Sequence, residues 1–504
     1  ATFEEVKRAF DPADLLNPGV IVRPAAIDAD LRVPPARPAH ALGMPKRSAD
    51  LKFAYSHDEG DLTRAVHRCV GVGKCRADSG GVMCPSYLAT GDEKDSTRGR
   101  ARLLQEMANG TLVTDGWRSQ EVREVLDLCL SCKGCTLDCP AGVDMPTYKA
   151  EFFDKFYQGR LRPMNHYLLG WLPRWSRLAS IAPRLVNALT GVPALARLAK
   201  TVGGIAQERP LPKFADATFR QWFTNRPSGS GTEPSSRSGA EPSSRSGAEP
   251  SSRSGAECLS RTGAEPVVLW VDSFTDHFSP EVGRAAVTLL EHLGFEVSIT
   301  REKVCCGLTW VSTGQLDGAK RQLRASLDAL TLPGLPADVP IVGLEPSCTA
   351  LLREDAAELL PADPRAHALK SRVKTLAELI VEQRPAWIPP QLDPEGPVKA
   401  VVQPHCHQHA VMGFAADAAL LAKAGVDAQV LAGCCGLAGN FGAENGHYDV
   451  SVKVAEHAFL PALRERGDAI VVADGYSCRT QADNLAGVRP KHLAELLAAA
   501  LPPT

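Results

Sequence analysis

The chain has 504 residues, of which 44% are hydrophobic and 23% are charged, and its net charge is -2. This length allows several domains with their own cores, and the near-neutral charge gives no reason to expect a nucleic-acid partner. No signal-peptide pattern or apolar run of transmembrane length is present, and fifteen cysteines grouped in CxxC and Cys-Cys pairs indicate metal-bound thiolates in a reducing, cytoplasmic compartment.

The first fifty residues lack a predicted core of their own. The stretch ATFEEVKRAF predicts one short helix, followed by Asp-Pro and Asn-Pro-Gly turns up to residue 19. Residues 20–50 are rich in proline and are expected to be extended. We therefore expect residues 1–50 to be the end of a domain that begins upstream in a longer polypeptide.

Residues 51–150 contain two cysteine-rich loops separated by a helix. The second loop, CLSCKGCTLDCP, has the C-x2-C-x2-C-x3-C-P spacing of bacterial ferredoxins, in which the fourth cysteine binds the other of two clusters. The first loop, RCVGVGKCRADSGGVMCPSY, supplies three more cysteines. The simplest pairing places one 4Fe-4S cluster on Cys84, Cys129, Cys132 and Cys135. It leaves Cys69, Cys75 and Cys139 for a second cluster.

The second cluster lacks one cysteine ligand. Val72 occupies the position at which a full signature has cysteine, and valine cannot bind iron. The second site is therefore a three-iron cluster, a cluster with a non-cysteine ligand such as Asp78 or His67, or absent. For the 129–139 loop the alternative is a zinc knuckle, which C-x2-C spacing also allows, although four cysteines and the proline favour the ferredoxin interpretation.

The stretch STRGRARLLQEM predicts a helix between the two loops, with Ser96 or Thr97 as its N-cap. Its arginines, Arg98, Arg100 and Arg102, are positioned to make a nearby cluster easier to reduce, because positive charge stabilises the added electron. An ordinary solvated helix face is the alternative.

Residues 151–226 predict a basic helical connector. Between Arg160 and Gln207 there are seven Arg or Lys residues and no acidic residue, interleaved with Trp171, Trp175 and many leucines. Such a region either lies on an anionic membrane surface or packs on its own protein. Prolines at 173, 183 and 193 are expected to divide it into short helices, which excludes a membrane-spanning segment.

Residues 227–265 predict a disordered linker, because an eight-residue unit such as SGAEPSSR recurs there. Cys258 falls where earlier units carry proline. We therefore interpret Cys258 as part of the repeat and not as a ligand.

The C-terminal half predicts two homologous α/β lobes, residues 266–390 and 391–504. EPVVLWVDS, FEVSI and VPIVGLEPSC are expected strands of the first lobe, and VKAVVQPHC, VDAQVLAG and DAIVVADG are their counterparts in the second. In each lobe a Cys-Cys-Gly segment is followed, at nearly the same spacing, by a further cysteine. A duplication explains both patterns.

The cysteines of both lobes follow closely on predicted strand ends, where open α/β sheets bind ligands. The second lobe has Cys406, Cys434, Cys435 and Cys478, flanked by His405, His407 and His409. The first has Cys305, Cys306 and Cys348, with Asp272 near the position that matches Cys406. A vicinal Cys-Cys pair suits a larger cluster or a redox pair better than a single zinc ion. Buried apolar cysteines without ligand function are the alternative.

Together these motifs resemble the cysteine-rich (CCG) iron-sulfur subunits related to the glycolate oxidase iron-sulfur subunit, the anaerobic glycerol-3-phosphate dehydrogenase C subunit and the heterodisulfide reductase B subunit. The resemblance covers residues 61–150 and 267–485. FDPADLLNPG also looks like the end of an FAD-linked oxidase C-terminal domain, which makes Asn17, Pro18 and Gly19 a candidate remnant of an FAD site. The implied fold class is a multidomain α+β protein with a helical ferredoxin-like 4Fe-4S domain, a disordered linker and two duplicated cysteine-rich lobes.

The resemblance implies the electron-transfer part of a fused FAD and iron-sulfur dehydrogenase of D-lactate or D-2-hydroxyglutarate type. FAD would lie in a fused or partner domain, and a quinone or another carrier would accept the electrons, with peripheral contact at the inner face of the cell membrane. A further cluster is expected in the cysteine-rich lobes, with Cys406, Cys434, Cys435 and Cys478 as the candidate redox site. One alternative is that the second lobe is itself a catalyst that reduces a disulfide, as in heterodisulfide reductase. The other is a metal-binding interaction protein without redox turnover.

Overall fold

The computed structural model describes residues 2–26, 29, 51–78, 80–226, 264–331 and 336–502. The expected linker, including Cys258, lies almost entirely outside the described residues, as does most of the proline-rich segment before residue 51. The predictions for those two segments therefore stay predictions.

The N-terminal third is helical. After α1 (Thr2–Phe10), the helices are α2 (Leu62–His67), α3 (Pro85–Thr90), α4 (Thr97–Asn109), α5 (Gln120–Asp127), α6 (Gly134–Asp138) and α7 (Met145–Phe156). Ser96 caps α4, since its Oγ accepts a hydrogen bond from the Gly99 backbone N–H at 2.8 Å. Pro85 starts α3, where a missing N–H costs nothing. The helix predicted between the cysteine loops is thereby confirmed.

The connector consists of short helices, as its prolines predict. They are α8 (Met164–Leu168), α9 (Leu172–Ala179), α10 (Pro183–Gly191), α11 (Pro193–Gly203) and α12 (Phe219–Asn225). Pro173, Pro183 and Pro193 lie in the first turns of α9, α10 and α11. Among the described residues, no helix is long and apolar enough to cross a membrane.

The first cysteine-rich lobe is built on a parallel sheet. Its elements are β1 (Glu265–Trp270), α13 (Ser273–His277), α14 (Pro280–His292), β2 (Phe295–Ser298), α15 (Leu308–Ser312), α16 (Leu316–Ala329), β3 (Ile341–Gly343), α17 (Pro346–Ala350), α18 (Ala356–Leu359), α19 (Pro364–Arg372), β4 (Val373–Thr375) and α20 (Leu376–Gln383). The strand order is β2-β1-β3-β4. Val268 pairs with Ser298 on one side and with Ile341 on the other.

The second lobe repeats this arrangement. Its elements are β5 (Val398–Val402), α21 (Ala415–Lys423), β6 (Val426–Val430), α22 (Tyr448–His457), α23 (Phe459–Glu465), β7 (Ile470–Val472), α24 (Tyr476–Ala486) and α25 (Leu493–Ala499). The strand order β6-β5-β7 matches β2-β1-β3, and all pairs are parallel. The predicted duplication is confirmed, with β4 as an additional strand that the sequence analysis missed.

The parts of the chain share hydrophobic cores. One core joins Leu269 and Leu290 of the first lobe to Val402 and Leu420 of the second. Another joins Tyr148 and Phe152 of the helical third to Trp310 of the first lobe. Shared burial of this kind fixes the ferredoxin-like region against both lobes, which positions the cysteine sites relative to one another.

Candidate metal centres

Four cysteines of the ferredoxin-like region form the first candidate site. Cys84, Cys129, Cys132 and Cys135 are buried. Burial, followed by the neighbouring thiols of Cys406, Cys135 and Cys84, raises the pKa of Cys132. Burial and nearby groups that include Cys129 and Cys84 also raise the pKa of Cys135. Because the pKa values of these thiols depend on one another, Cys84, Cys129, Cys132 and Cys135 lie near each other.

Arg100 supplies positive charge to this group of cysteines. Its side chain is 1% exposed, and its Nη1 lies 3.8 Å from Cys84 Sγ and 2.9 Å from Ser86 Oγ. Although burial opposes ionisation of Cys84, the Arg100 guanidinium and the hydroxyls of Ser86 and Thr97 lower the pKa of its thiol. Of the three arginines noted in the sequence, Arg100 therefore touches a cysteine ligand candidate.

The 129–135 loop is held by buried lysines. Lys149 donates through Nζ to the Cys129 carbonyl at 2.6 Å. Lys133, in the left-handed region at φ 59°, reaches Asp355 of the first lobe at 2.6 Å. Burial opposes the charge of Lys133, but the carboxylates of Asp144 and Asp355 raise its pKa. These contacts fix the loop backbone, so the cysteine side chains need little reorganisation to bind a metal group.

The remaining three cysteines of this region line a separate pocket. A pocket in this region is lined by Cys69, Cys75 and Cys139 together with Val72 and Arg98. Val72 is thus at the site where the sequence predicts a missing ligand. His67 and Asp78 are not among the lining residues, so the described geometry brings neither of the suggested substitutes to this pocket.

The four cysteines of the second lobe also form one group. All four are buried. A hydrogen bond with Cys434 and the nearby charge of His405 lower the pKa of Cys406. Together these two effects outweigh burial, which would raise it. Hydrogen bonds with Cys434 and Cys478 hold the pKa of Cys435 well below its usual range. The same hydrogen bonds, together with burial, raise the pKa of Cys434 and Cys478 well above the usual range. The thiolate, which is the form that binds metal, is therefore favoured at Cys406 and Cys435.

The glycine of each Cys-Cys-Gly segment is required by the backbone. Gly307 has φ 93° and Gly436 has φ 88°, both in the left-handed region. A Cβ on Gly436 would lie 2.1 Å from the Ser451 carbonyl oxygen, and one on Gly307 would lie 3.1 Å from that of Ala319. Each glycine N–H points at the first cysteine of its pair, at 3.4 Å from the sulfur of Cys305 or Cys434.

The first lobe has a smaller thiol group. Cys306 Sγ lies 3.1 Å from Cys348 Sγ, and Cys305 is adjacent. Asp272, near the position matching Cys406, caps α13 by accepting hydrogen bonds from the backbone N–H groups of Phe274 and Thr275. Burial and the nearby Glu345 carboxylate raise the pKa of Asp272 to about 6. Its carboxylate is thus engaged in local structure.

The ferredoxin-like cysteines lie against the second lobe. Cys132 belongs to one hydrophobic cluster with Cys406 and Cys434. The histidines flanking Cys406 complete this contact, since His407 Nε2 lies 2.9 Å from the Ser131 carbonyl oxygen and His409 Nε2 lies 2.9 Å from Asp138 Oδ1. The sequence indicated these histidines as neighbours of Cys406, but not that they contact the ferredoxin-like loop.

The candidate ligands are thiols in groups of three and four, which is the donor chemistry of iron-sulfur clusters. Among the described residues, no set of three or more Cys, His, Asp or Glu side chains is arranged around a single metal ion. The turn formed by Asn17, Pro18 and Gly19, the candidate remnant of an FAD site, is exposed.

Sequence reasoning missed Lys133, Lys149, Glu345 and Asp355, because their importance depends on contacts with residues distant in the chain.

Family models match both cysteine-rich parts of the chain. Residues 65–143 match the model described as a 4Fe-4S dicluster domain. Residues 272–353 and 405–483 match the model described as a cysteine-rich domain. The two matches to the second model fall one in each lobe, and they begin just after β1 and β5 respectively.

Curated relatives share these parts. D-2-hydroxyglutarate dehydrogenase of Pseudomonas putida is 25% identical over an alignment of 530 positions, gaps included. This alignment covers 98% of this chain and 48% of the relative. The anaerobic glycerol-3-phosphate dehydrogenase C subunit of Escherichia coli is 24% identical, with the match spanning 63% of this chain and 72% of the relative. Lactate utilization protein A of an Exiguobacterium species is 30% identical, covering 46% of this chain and 96% of the relative. The chain spans about half the length of the first of these.

Proposed function

The chain belongs to the family of iron-sulfur proteins with cysteine-rich (CCG) domains, and we propose that it is the electron-transfer part of a flavin-dependent D-2-hydroxy acid dehydrogenase. It passes electrons from FAD toward a quinone or another carrier. The relatives named for D-2-hydroxyglutarate, glycerol 3-phosphate and lactate support an oxidoreductase of this class. Among the hydroxy acids we favour D-lactate or D-2-hydroxyglutarate.

One observation supports this function most strongly. Cys132 packs in the same cluster as Cys406 and Cys434, so the ferredoxin-like site and the second lobe lie directly side by side. The pKa of Cys132 is raised by burial and next by the thiol of Cys406. Adjacent metal sites are what an electron relay requires, whereas a metal-binding interaction protein has no need of them.

Each group of cysteines has its own role in this proposal. Iron-sulfur clusters, when bound, carry single electrons at potentials that nearby charge and burial tune. The first cluster is held by Cys84, Cys129, Cys132 and Cys135, with Arg100 stabilising the negative charge. A second is held by Cys69, Cys75 and Cys139. The terminal site is formed by Cys406, Cys434, Cys435 and Cys478.

The partner that supplies electrons is an FAD-linked oxidase domain or subunit. Helix α1 supports the proposal of such a partner, because none of its residues is buried. Phe3 and Phe10 of this helix are 73% and 86% exposed, so its apolar face has room for another protein surface. In this relay the second lobe is the last site before the electron acceptor. If the acceptor is a quinone, the complex lies at the inner face of the cell membrane.

The order of the relay is tested with matched cysteine variants. In Cys434→Ser, we expect rapid reduction of the ferredoxin-like cluster by the flavoprotein partner to persist in stopped-flow experiments, while steady-state acceptor reduction falls at least about tenfold. Cys305→Ser is the control, because Cys305 occupies the equivalent position in the first lobe and accepts the same backbone N–H contact. Normal acceptor reduction in Cys434→Ser and Cys435→Ser would rule out the terminal site.

One observation favours a second function, disulfide chemistry. Cys306 Sγ and Cys348 Sγ are 3.1 Å apart, close enough for a disulfide to form with little movement. If this pair undergoes redox turnover, oxidation of the metal-free chain should link Cys306 to Cys348 in peptide mass spectra. Reduction of an added disulfide should then depend on both cysteines and remain in Cys434→Ser.

A further inference from the structure

Helices α10 and α11 present apolar side chains to solvent. No residue of α10, all of which is described, is buried, and α11 buries only Lys200 and Gly203. Of the large hydrophobic side chains exposed in the described part of the chain, eleven lie between residues 161 and 202. Exposed leucines scattered singly are normal in soluble proteins, whereas a concentration of this kind marks an interaction surface.

The exposed apolar residues share faces of their helices. Leu185 and Leu189 are one turn apart on α10 and are 61% and 49% exposed. Leu195, Leu198 and Val202 follow the same spacing on α11. The two helices pack against each other, so the two apolar faces belong to one exposed helical pair.

Polar side chains of the same helices point into the protein. The Asn187 side chain donates to the Phe214 carbonyl at 2.8 Å and accepts from the Phe214 N–H at 2.9 Å. Lys200 is 9% exposed and donates through Nζ to the carbonyls of Gln207 and Arg209. A helix on a soluble surface normally turns its apolar face inward, whereas α10 and α11 leave most of their leucines exposed while Asn187 and Lys200 bond toward the protein.

The segment that carries these helices is rich in positive charge. Residues 160–207 contain seven Arg or Lys and no Asp or Glu. Arg174, Arg184 and Arg197 are exposed, and Trp175 lies among them at 41% exposure. The ion pair of Arg184 with Asp216 joins two exposed side chains at 3.3 Å, so water and salt screen it. Arginine and tryptophan beside an apolar face are the composition of helices that lie in a bilayer interface.

We propose that the surface formed by α9, α10 and α11 docks on an anionic lipid bilayer. The leucines enter the boundary between headgroups and acyl chains, and the arginines meet lipid phosphates. A second copy of the chain fits this surface less well, because it would bring the same arginines against each other. The docking goes beyond the proposed electron transfer and is tested separately, since vesicle binding is measured without turnover.

The test is co-sedimentation of the full chain with vesicles. We expect binding to phosphatidylcholine vesicles that contain about a quarter phosphatidylglycerol, and at least about tenfold weaker binding to phosphatidylcholine alone. Leu189→Asp combined with Leu198→Asp should reduce binding to the anionic vesicles at least about tenfold. Trp175 fluorescence should shift to shorter wavelength on binding, and this shift should be absent in the double variant.

Leu112→Asp is the matched control, because Leu112 is a comparably exposed leucine outside this surface. It should bind vesicles as the wild type does, and all variants should retain wild-type iron content and circular dichroism. Equal binding of the double variant and the wild type would overturn the proposal. Absence of binding to anionic vesicles would also overturn it. A dimer that forms without lipid and that the double substitution disrupts would overturn it as well, because the surface would then be an interface between two copies of the chain.

Discussion

Arg100 offers the most quantitative test of how the chain tunes its ferredoxin-like site. We expect Arg100→Gln to lower the reduction potential of the cluster bound by Cys84, Cys129, Cys132 and Cys135. Arg100 Nη1 lies 3.8 Å from Cys84 Sγ, and its side chain is almost completely buried. Loss of this charge removes an attraction that favours the added electron.

The size of the shift follows from that distance. Two unit charges at this separation attract by about 4 kcal/mol at an effective dielectric constant of about 20. An electron added to the cluster is spread over metal atoms beyond the sulfur, so about half of this, about 2 kcal/mol, acts on reduction. For a one-electron couple this corresponds to about 90 mV.

The assay is an anaerobic redox titration followed by electron paramagnetic resonance. Arg100→Lys keeps the charge and should recover most of the potential, which separates charge from packing. Arg102→Gln is the control, because Arg102 is half exposed and pairs with Glu106. An unchanged potential in folded Arg100→Gln would refute the reasoning. Arg100 also donates to the carbonyls of Asp95 and Val125, so some loss of stability is expected as well.

Two further predictions concern the helical third of the chain. Val72→Cys should raise the iron bound per chain or convert a three-iron signal into a four-iron signal, because Val72 lines the pocket of Cys69, Cys75 and Cys139. The measurements are iron analysis and electron paramagnetic resonance. If the substitution changes neither, the result would argue against a second site. Burial raises the pKa of Glu151 to about 7 from 4.5, so between these pH values the native state binds a proton that the unfolded state has lost. The free energy of unfolding should therefore fall, by at most about 3 kcal/mol, as the pH rises from 5 to 8. In Glu151→Gln, chemical denaturation should show a smaller decrease over this range, and an equal decrease would contradict the assignment.

Much of the architecture was predictable from local patterns in the sequence. Strands such as β1, β3 and β5 are short runs rich in buried β-branched and apolar residues, whereas β6 is largely exposed. In each lobe the Cys-Cys-Gly segment comes after the second strand. Ser96 and the prolines at 173, 183 and 193 predicted helix starts because capping and the missing N–H act within a single turn. β4 was missed, because three residues between two helices carry too weak a pattern.

The relation between the sites was not predictable in the same way. The contact of Cys132 with Cys406 and Cys434 joins residues far apart in the chain, and no local pattern encodes it. The buried pair of Lys133 and Asp355 depends on the same docking, since each charge is tolerated only beside the other. Spacing identified the cysteines that form groups, whereas the order of the groups in space required the three-dimensional structure.

The central claim, that this chain carries electrons on iron-sulfur clusters, is tested most directly by metal analysis and electron paramagnetic resonance of anaerobically purified protein. We expect stoichiometric iron and sulfide and a 4Fe-4S signal that appears on reduction and is lost in Cys132→Ser, while Cys305→Ser retains it. Recovery of stoichiometric zinc in place of iron, without a reducible signal, would contradict the claim.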